Sequence, residues 1–374
     1  MTDVSRLRLG KKKVLGMLAA AGLISILVFT TVTRNRPPTT PVLPEPSLKA
    51  LAAKKNIQLG NFAMPKLLGE KPYTDILTSQ FDFALADNQP NWHFTDTDLR
   101  PSATEFDFSR VDQVVEYAEQ NHMGVQMHHY IWGEEKWLPD WLVKGHYDKQ
   151  ELMGFIQNHI TTMGKRYSGR VQEWSVVNEA FTRGRHLYGL NDWWADNIGD
   201  QSYIDQSFIW ARAADPHSKL LLNDFDNEGL NDTSNAMYDY VKAAKGRGVP
   251  IDGIGMQMHL DGTHPPVKDE VIANMKRFAA LGVETYVTEL DVNMNDVKAG
   301  PKARDDIQSG IYYDMMRACI ESEVCPSFSL LGITDKETWY NYLPGTPNAN
   351  PLIFDHNYKP KPAFYSLREA LLKD

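Results

Sequence analysis

The chain lacks the patterns that mark a metal centre. There is no Cys-x-x-Cys and no His-Glu-x-x-His in its 374 residues, and the adjacent pair His128-His129 cannot send both rings to one side of a regular strand. The loops that cradle phosphate are missing too: no Gly-x-Gly-x-x-Gly follows the first candidate strand, and no Gly-x-x-x-x-Gly-Lys-[Ser/Thr] occurs anywhere, which argues against a nucleotide-binding open sheet. No cofactor and no metal are expected. Basic residues are scarce where a polyanion would need them. Lys and Arg number 39 against 48 Asp and Glu, a formal charge of −9. Seven of the basic residues (Arg6, Arg8, Lys11, Lys12, Lys13, Arg34 and Arg36) fall before residue 37, with only Asp3 against them. The remainder holds 32 basic and 47 acidic residues, a net of −15. Such a body repels nucleic acid and suits a neutral partner. Cysteine is almost absent: Cys319 and Cys325 stand alone, six positions apart. In an oxidising compartment they could form a local disulfide; the other reading is two buried thiols.

Long apolar runs are absent but for one. Val14 to Val32, "VLGMLAAAGLISILVFTTV", carries no charge and is long enough to cross a hydrocarbon core as a helix. Five basic residues precede it and two follow, so the positive-inside bias keeps the N-terminus in the cytoplasm and sends the rest outside. Ala19-Ala20-Ala21 sit in mid-run, which favours an uncleaved anchor over a cleaved signal peptide, the alternative being secretion after cleavage. "RNRPPTTPVLPEPS", rich in Pro and Thr, reads as a semi-rigid spacer. The expected organisation is a basic cytoplasmic arm over 1–13, an anchor or signal segment over 14–33, a linker over 34–48 and one catalytic domain over 49–374. A monomer held to the outer side of a membrane is the expectation.

What is abundant is material for a core: 42% hydrophobic and 11% aromatic residues serve one barrel-sized core or two ordinary domains. No second linker interrupts the body. Eight short apolar runs start near Ile57, Phe81, Gly124, Val171, Lys219, Gly253, Glu284 and Phe328. Between them lie amphipathic stretches such as "VDQVVEYAEQNH" and "EVIANMKRFAALG". Eight strand–helix units over roughly 320 residues predict an α/β fold, a closed (β/α)8 TIM barrel. Polar residues gather where the strands end: Asp87-Asn88, His128-His129 with Trp132, Asn178-Glu179, Asn223-Asp224, Gln257 with His259, Glu289 with Asp291, and Thr334-Asp335. A helix cap or a solvated loop explains one such end but not seven. In a parallel barrel this face binds substrate.

Two carboxylates stand out. Glu179 closes "WSVVNE" and Glu289 lies in "YVTELD", on the fourth and seventh candidate strands, which face each other across a barrel mouth. Strand periodicity places Glu179 on one face with Val177 and Ser175, and Glu289 with Val287 and Asp291. A lone Glu at a strand end is more often a cap or half of an ion pair. Two that converge, with His and Asn beside them, are the equipment of glycoside hydrolysis: one protonates the leaving oxygen and the other attacks the anomeric carbon or activates water. Trp132 and Trp339 suit stacking on sugar faces, whereas Trp174 and Trp210 are assigned to packing.

"WSVVNEAF", "GMQMH", "VTELDV", "GITDKETW" and "PLIFDHNYKPKPAFYSL", in that order, resemble glycoside hydrolase family 10, the retaining xylanase family with a (β/α)8 barrel. The resemblance runs from about residue 57 to the C-terminus. It implies an endo-1,4-β-xylanase-like hydrolase with a carbohydrate substrate, Glu179 as acid/base and Glu289 as nucleophile, with carboxyl groups about 5 to 5.5 Å apart. It further implies that Asn178 contacts the sugar 2-hydroxyl and that Gln257 steers the acid/base. His259 would bond Glu289 and be oriented by Asp291. His128 and Trp132 would line the wall around the cleaved sugar, with Asp87 and Asn88 as further candidate substrate contacts; Trp339 would form an aromatic lid, and Cys319 would bridge Cys325.

The chain also departs from that family. Where the family has Glu-Asn-x-x-Lys, it has Asp87-Asn88-Gln89-Pro90-Asn91; where the family has Trp-His-Ser-Gln, it has Trp132-Gly133-Glu134-Glu135. Leu331 replaces a Trp, and Ser175 replaces an Asp roughly 13 Å deeper along the strand than Glu179. The catalytic pair is untouched, so the change falls on sugar specificity. Two alternatives follow: the same mechanism on a glycoside other than xylan, or a silent carbohydrate-binding surface protein. Transglycosylation would use the same intermediate.

Overall fold

The computed structural model describes residues 39–87, 90–94, 98–181 and 192–373. The segment expected to be an anchor, 14–33, lies outside the described residues. Among the described residues no helix is long and apolar enough to cross a membrane.

Each of the eight apolar runs is a strand. In chain order they are β1 (Gln58–Phe62), β2 (Phe83–Ala86), β3 (Gly124–Trp132), β4 (Glu173–Asn178), β5 (Lys219–Asp224), β6 (Gly253–Met256), β8 (Glu284–Asn293) and β9 (Ser327–Leu330). All pair in parallel. The ring closes because β9 pairs with β1 and β6 pairs with β8. A ninth strand, β7 (His259–Asp261), is a short addition running beside the C-terminal end of β8. The ring is therefore an eight-strand parallel barrel, and β7 extends its rim at one place only.

Helices separate the strands and supply the outer layer. The helix Lys71–Gln80 buries Tyr73, Ile76 and Leu77, the spacing that keeps one stripe of a helix on a sheet. The helix Lys149–Tyr167 starts on a capping box in which Asp148 and Glu151 satisfy each other's backbone N–H groups. The helix Pro301–Ser322 opens on a proline, whose missing N–H costs nothing in the first turn. At its end Cys319 bonds Cys325, with 5.1 Å between the Cα atoms, fastening the helix to the residues that lead into β9. Trp174 is fully buried and stacked on Tyr130 at 3.8 Å, and Trp210 packs against the core.

Ser175 is fully buried, with its hydroxyl unpaired among the described residues. At the N-terminal end of the barrel Glu173 is buried and accepts from the Ser327 hydroxyl at 3.1 Å.

Candidate active site

Register shifts interrupt three strands just where the polar residues gather. One extra residue is inserted in β3 between His128 and Ile131, in β4 between Ser175 and Val177, and in β8 between Val287 and Leu290. A bulge breaks the two-residue alternation, so neighbours in sequence can share a face. Asn178 and Glu179 therefore both reach the mouth, as do Thr288 and Glu289. Glu179 itself turns left-handed, with φ of 58°, and its backbone N–H donates to the Asn223 carbonyl at 2.9 Å. Strand periodicity alone would put Glu179 beside Val177 and turn Asn178 away.

Amides tie the two carboxylates together. Gln257 Nε2 donates to Glu179 Oε1 at 3.0 Å and to Asn178 Oδ1 at 3.1 Å. Asn223 Nδ2 donates to Asn178 Oδ1 at 2.8 Å and to Glu289 Oε1 at 2.9 Å. The Thr288 hydroxyl donates to Asn223 Oδ1 at 2.8 Å and fixes which end of that amide faces Glu289. Asn223 fits here because residue 255 is glycine: a Cβ there would overlap Asn223 Oδ1. The Asn178 Nδ2 group is buried and unpaired among the described residues. An unpaired buried donor is costly, and a ligand acceptor in the mouth would satisfy this one.

On the other oxygens, Trp132 Nε1 donates to Glu179 Oε2 at 2.8 Å, and His259 Nε2 lies 3.4 Å from Glu289 Oε2. The second nitrogen of His259 is 3.2 Å from Asp291 Oδ2, an ion-pair approach that misses hydrogen-bond alignment. Asp291 also accepts from Trp339 Nε1 at 2.7 Å and from the Tyr340 hydroxyl at 3.3 Å. The Trp339 ring lies 5.3 Å from that of His259 and stays partly exposed. His128 Nδ1 is 3.5 Å from Glu289 Oε1, and its Nε2 is 3.8 Å from Asp87 Oδ1. Its neighbour His129 turns instead toward Trp132, ring to ring at 5.1 Å.

The charges sort themselves by environment. Burial pushes the Glu179 carboxyl up to about 7, and the negative Glu289 adds to that. The donors Gln257 and Trp132 pull it partly back. Burial would raise Glu289 as well, but His128, His259 and the Asn223 amide outweigh it and hold the group at about 2. His259 is driven well above the ordinary imidazole range, because Asp291 and Glu289 overcome its burial. His128 goes down, since burial outweighs the pull of Glu289. Burial, then Glu289 and Glu179, lift Asp87 well above the carboxylate range. At neutral pH the centre thus holds an anionic Glu289 against a cationic His259, and a Glu179 that can carry a proton.

Asp87, His128 and Glu289 bring ligand atoms within 4.8 Å of one another, the one group of described residues able to hold a metal ion. The two carboxylates approach different nitrogens of the same ring, so the three read better as a chain of pairs than as a common shell.

Asp87, His128, Trp132, Asn178, Glu179, Gln257, His259, Glu289, Asp291 and Trp339 are thus linked by contacts in one mouth. Asn88 lies outside the described residues. Sequence reasoning left Asn223 and Thr288 out of the site. In the sequence Asn223 is only one polar strand end among seven, and Thr288 sits on the side that strict alternation turns outward.

Comparison with known proteins agrees over nearly the whole body. The family model described as "Glycosyl hydrolase family 10" matches residues 47–370. Endo-1,4-beta-xylanase B of Thermotoga neapolitana is 33% identical over 332 residues, covering 87% of this chain and 91% of that one. Beta-1,4-xylanase of Dictyoglomus thermophilum is 32% identical over 304 residues, covering 79% and 83%. The crystal structure of xylanase 10B from Thermotoga petrophila RKU-1, in complex with xylobiose, superposes with a TM-score of 0.81 at 33% identity, covering 89% of this chain and 99% of that one.

Proposed function

Because this chain belongs to glycosyl hydrolase family 10 and is a glycoside hydrolase, we propose that it cleaves β-1,4-linked xylan by double displacement, with Glu289 as nucleophile and Glu179 as acid/base. The observation that carries the reading is the pair of buried carboxyls driven in opposite directions, to about 7 and to about 2, within one amide network.

In the first step a Glu289 oxygen bonds the anomeric carbon. The glycosidic C–O bond breaks with its electrons leaving on oxygen, and Glu179 gives that oxygen its proton. His259, held between Glu289 and Asp291, keeps the nucleophile ionised while Asn223 aims it. The Asn178 amide has a free donor for the 2-hydroxyl of the sugar. Once Glu289 is an ester its charge is gone, and with it one of the causes that raise Glu179. Glu179 then becomes a better carboxylate at the moment it must take a proton from water. That water attacks the anomeric carbon, the ester bond breaks, and Glu289 is restored.

The full chain should release xylo-oligosaccharides from xylan, and Glu289→Gln should reduce the rate by at least about a thousandfold. Glu179→Ala should lose hydrolysis of natural linkages yet keep much of its rate on a dinitrophenyl glycoside, with azide restoring the deglycosylation step. Full activity of Glu289→Gln would remove the mechanism.

One observation favours a second reading, the same chemistry on another β-linked sugar. Leu331, where the family has an indole, packs with Phe62 and Leu85 in a small apolar cluster of its own. A panel of aryl glycosides and polysaccharides decides between the two sugars; no cleavage of any member would favour a silent binder. We also place the domain outside the cytoplasm, tethered by residues 14–33, on the strength of that uncharged run and its five preceding basic residues. Recovery of the full chain in a salt-washed membrane fraction tests the tether; recovery only as a free, shortened protein would mean cleavage.

A further inference from the structure

We infer that Trp137, backed by Phe94, is a positioning residue for the proton donor: it clamps the Trp132 indole whose N–H holds Glu179. This rests on the reading of Glu179 as acid/base given above. The bond at issue runs from Trp132 Nε1 to Glu179 Oε2 at 2.8 Å. Among the described residues Gln257 donates to Oε1 and Trp132 to Oε2. Gln257 is anchored twice, since it also bonds Asn178. The Trp132 indole N–H bonds Glu179 and no other described residue, so the precision of that bond depends on what packs against the ring.

What packs there is a row of aromatic rings. Trp137 lies nearly parallel to Trp132, 22° between planes and 6.0 Å between centroids. Phe94 lies nearly parallel to Trp137, at 24° and 5.3 Å. The edge of His129 meets Trp132 at 80° and 5.1 Å. The row is joined through the backbone as well, since the His93 N–H donates to the Trp137 carbonyl at 3.0 Å. The loop after β2 and the loop after β3 are thereby fastened to each other beside the acid. Trp137 Nε1 is buried and unpaired among the described residues, so no polar bond of its own sets the ring. Its place comes from stacking on its two neighbouring rings. With Phe94 behind Trp137 and Trp132 ahead of it, the ring acts as a wedge rather than as a platform for sugar.

A donor held to Glu179 Oε2 does two things. It fixes the rotamer in which the carboxyl faces the leaving oxygen, and it stabilises the carboxylate, which lowers the proton affinity of the group. Loosening the indole should therefore weaken proton donation while sparing nucleophilic attack. That separates a positioning role from a general structural one, because leaving groups differ in how much they need the proton.

The test uses the full chain, a series of aryl β-xylobiosides from phenyl to 2,4-dinitrophenyl, and the variants Trp137→Ala, Trp137→Phe and Glu179→Ala. Trp137→Ala should reduce kcat/KM on the phenyl substrate by about tenfold or more, a fraction of what a full acid contributes, and change the dinitrophenyl rate by less than about twofold. Its alkaline limb in the pH profile should move to higher pH. Trp137→Phe, which restores a stacking ring, should recover most of the loss. An equal fall on every leaving group, or no fall, overturns the inference. Glu179→Ala separates this from failure of the reading beneath it: if that variant shows no leaving-group dependence and no azide rescue, Glu179 is not the acid, whatever Trp137→Ala does. Should Trp137→Ala not fold, Trp137→Leu and Phe94→Leu carry the same test with the same expected pattern.

Discussion

Glu179 and Glu173 are both buried carboxyls pushed up to about 7, yet they stand at opposite ends of β4 and the shift has different consequences. At Glu179 it is an asset, because a general acid needs its proton at the working pH. The alkaline limb of kcat/KM should fall near pH 7. The Gln257 donor stabilises the carboxylate, so Gln257→Leu should move that limb upward while lowering the plateau; a limb that moves down would contradict the assignment. At Glu173 no chemistry uses the proton. Burial raises the group from an ordinary 4.5, with the Ser327 hydroxyl bond and the more distant Lys219 charge opposing it. Between those two values the folded chain keeps a proton that the unfolded chain gives up. Stability therefore declines as pH rises through that window, by up to about 3 kcal/mol. Glu173→Gln should raise Tm by a few degrees at pH 8 and leave it nearly unchanged at pH 4. A gain equal at both pH values would show that the carboxyl is not what costs stability.

Trp339, the proposed lid, is carried on the segment after β9, which is tied to the connection between β1 and the Lys71–Gln80 helix. Lys336 Nζ meets Glu70 Oε1 at 2.6 Å, and the Tyr358 hydroxyl donates to Glu70 Oε2 at 2.8 Å. Lys66 pairs with Glu337 and donates to the Tyr342 hydroxyl at 2.6 Å. Each exposed pair is worth at most about 1 kcal/mol and is screened by salt. Together they hold the indole over His259 and Asp291. Lys336→Met should raise KM by about threefold to fivefold with kcat little changed, and added salt should raise KM of the parent chain more than that of the variant. Salt curves that run parallel would dismiss the strap.

At this scale the sequence was legible where apolar length carries the signal. All eight strands start within a few residues of their expected positions, and Glu179 and Glu289 converge as their strand ends imply. The bulges were not legible, because an inserted residue leaves the apolar run intact while shifting its parity. Thr288 is hidden for that reason, whereas Asn223, on a strand without a bulge, reads as one polar strand end among seven, and β7 is only three residues long and pairs with β8 alone among the described residues. Trp132 reads as a sugar wall in isolation; its bond to Glu179 depends on a bulge in β3 and a left-handed turn after β4 that no local pattern announces.

Across the whole molecule, two sets of carboxyls pull stability in opposite directions with pH. Asp87, Glu173, Glu179, Asp224 and Glu228 are buried and raised. They favour the fold most when protonated and lose that contribution as pH climbs above the ordinary carboxylate range. His259, raised by its two carboxylate partners, works in the same sense: its contribution is complete below its ordinary 6.5 and is lost as pH rises through the folded value. Against these, paired surface carboxyls such as Glu70 and Asp200 are lowered and lose their contribution only in stronger acid. Tm measured by calorimetry should peak near pH 5 and be lower at pH 8; a maximum at pH 8 would mean the buried acids are not raised. The pairing of Asn223 with Gly255 bears on how such a chain can change. Any side chain at 255 collides with Asn223, and any replacement of Asn223 releases Glu289 and Asn178 together. Two neighbouring strands are thus locked in step: a mutational library should recover almost nothing from either position singly. The open terrain for acquiring a new sugar preference lies at Asp87, Trp339 and Leu331, where one substitution at a time leaves the amide lattice standing.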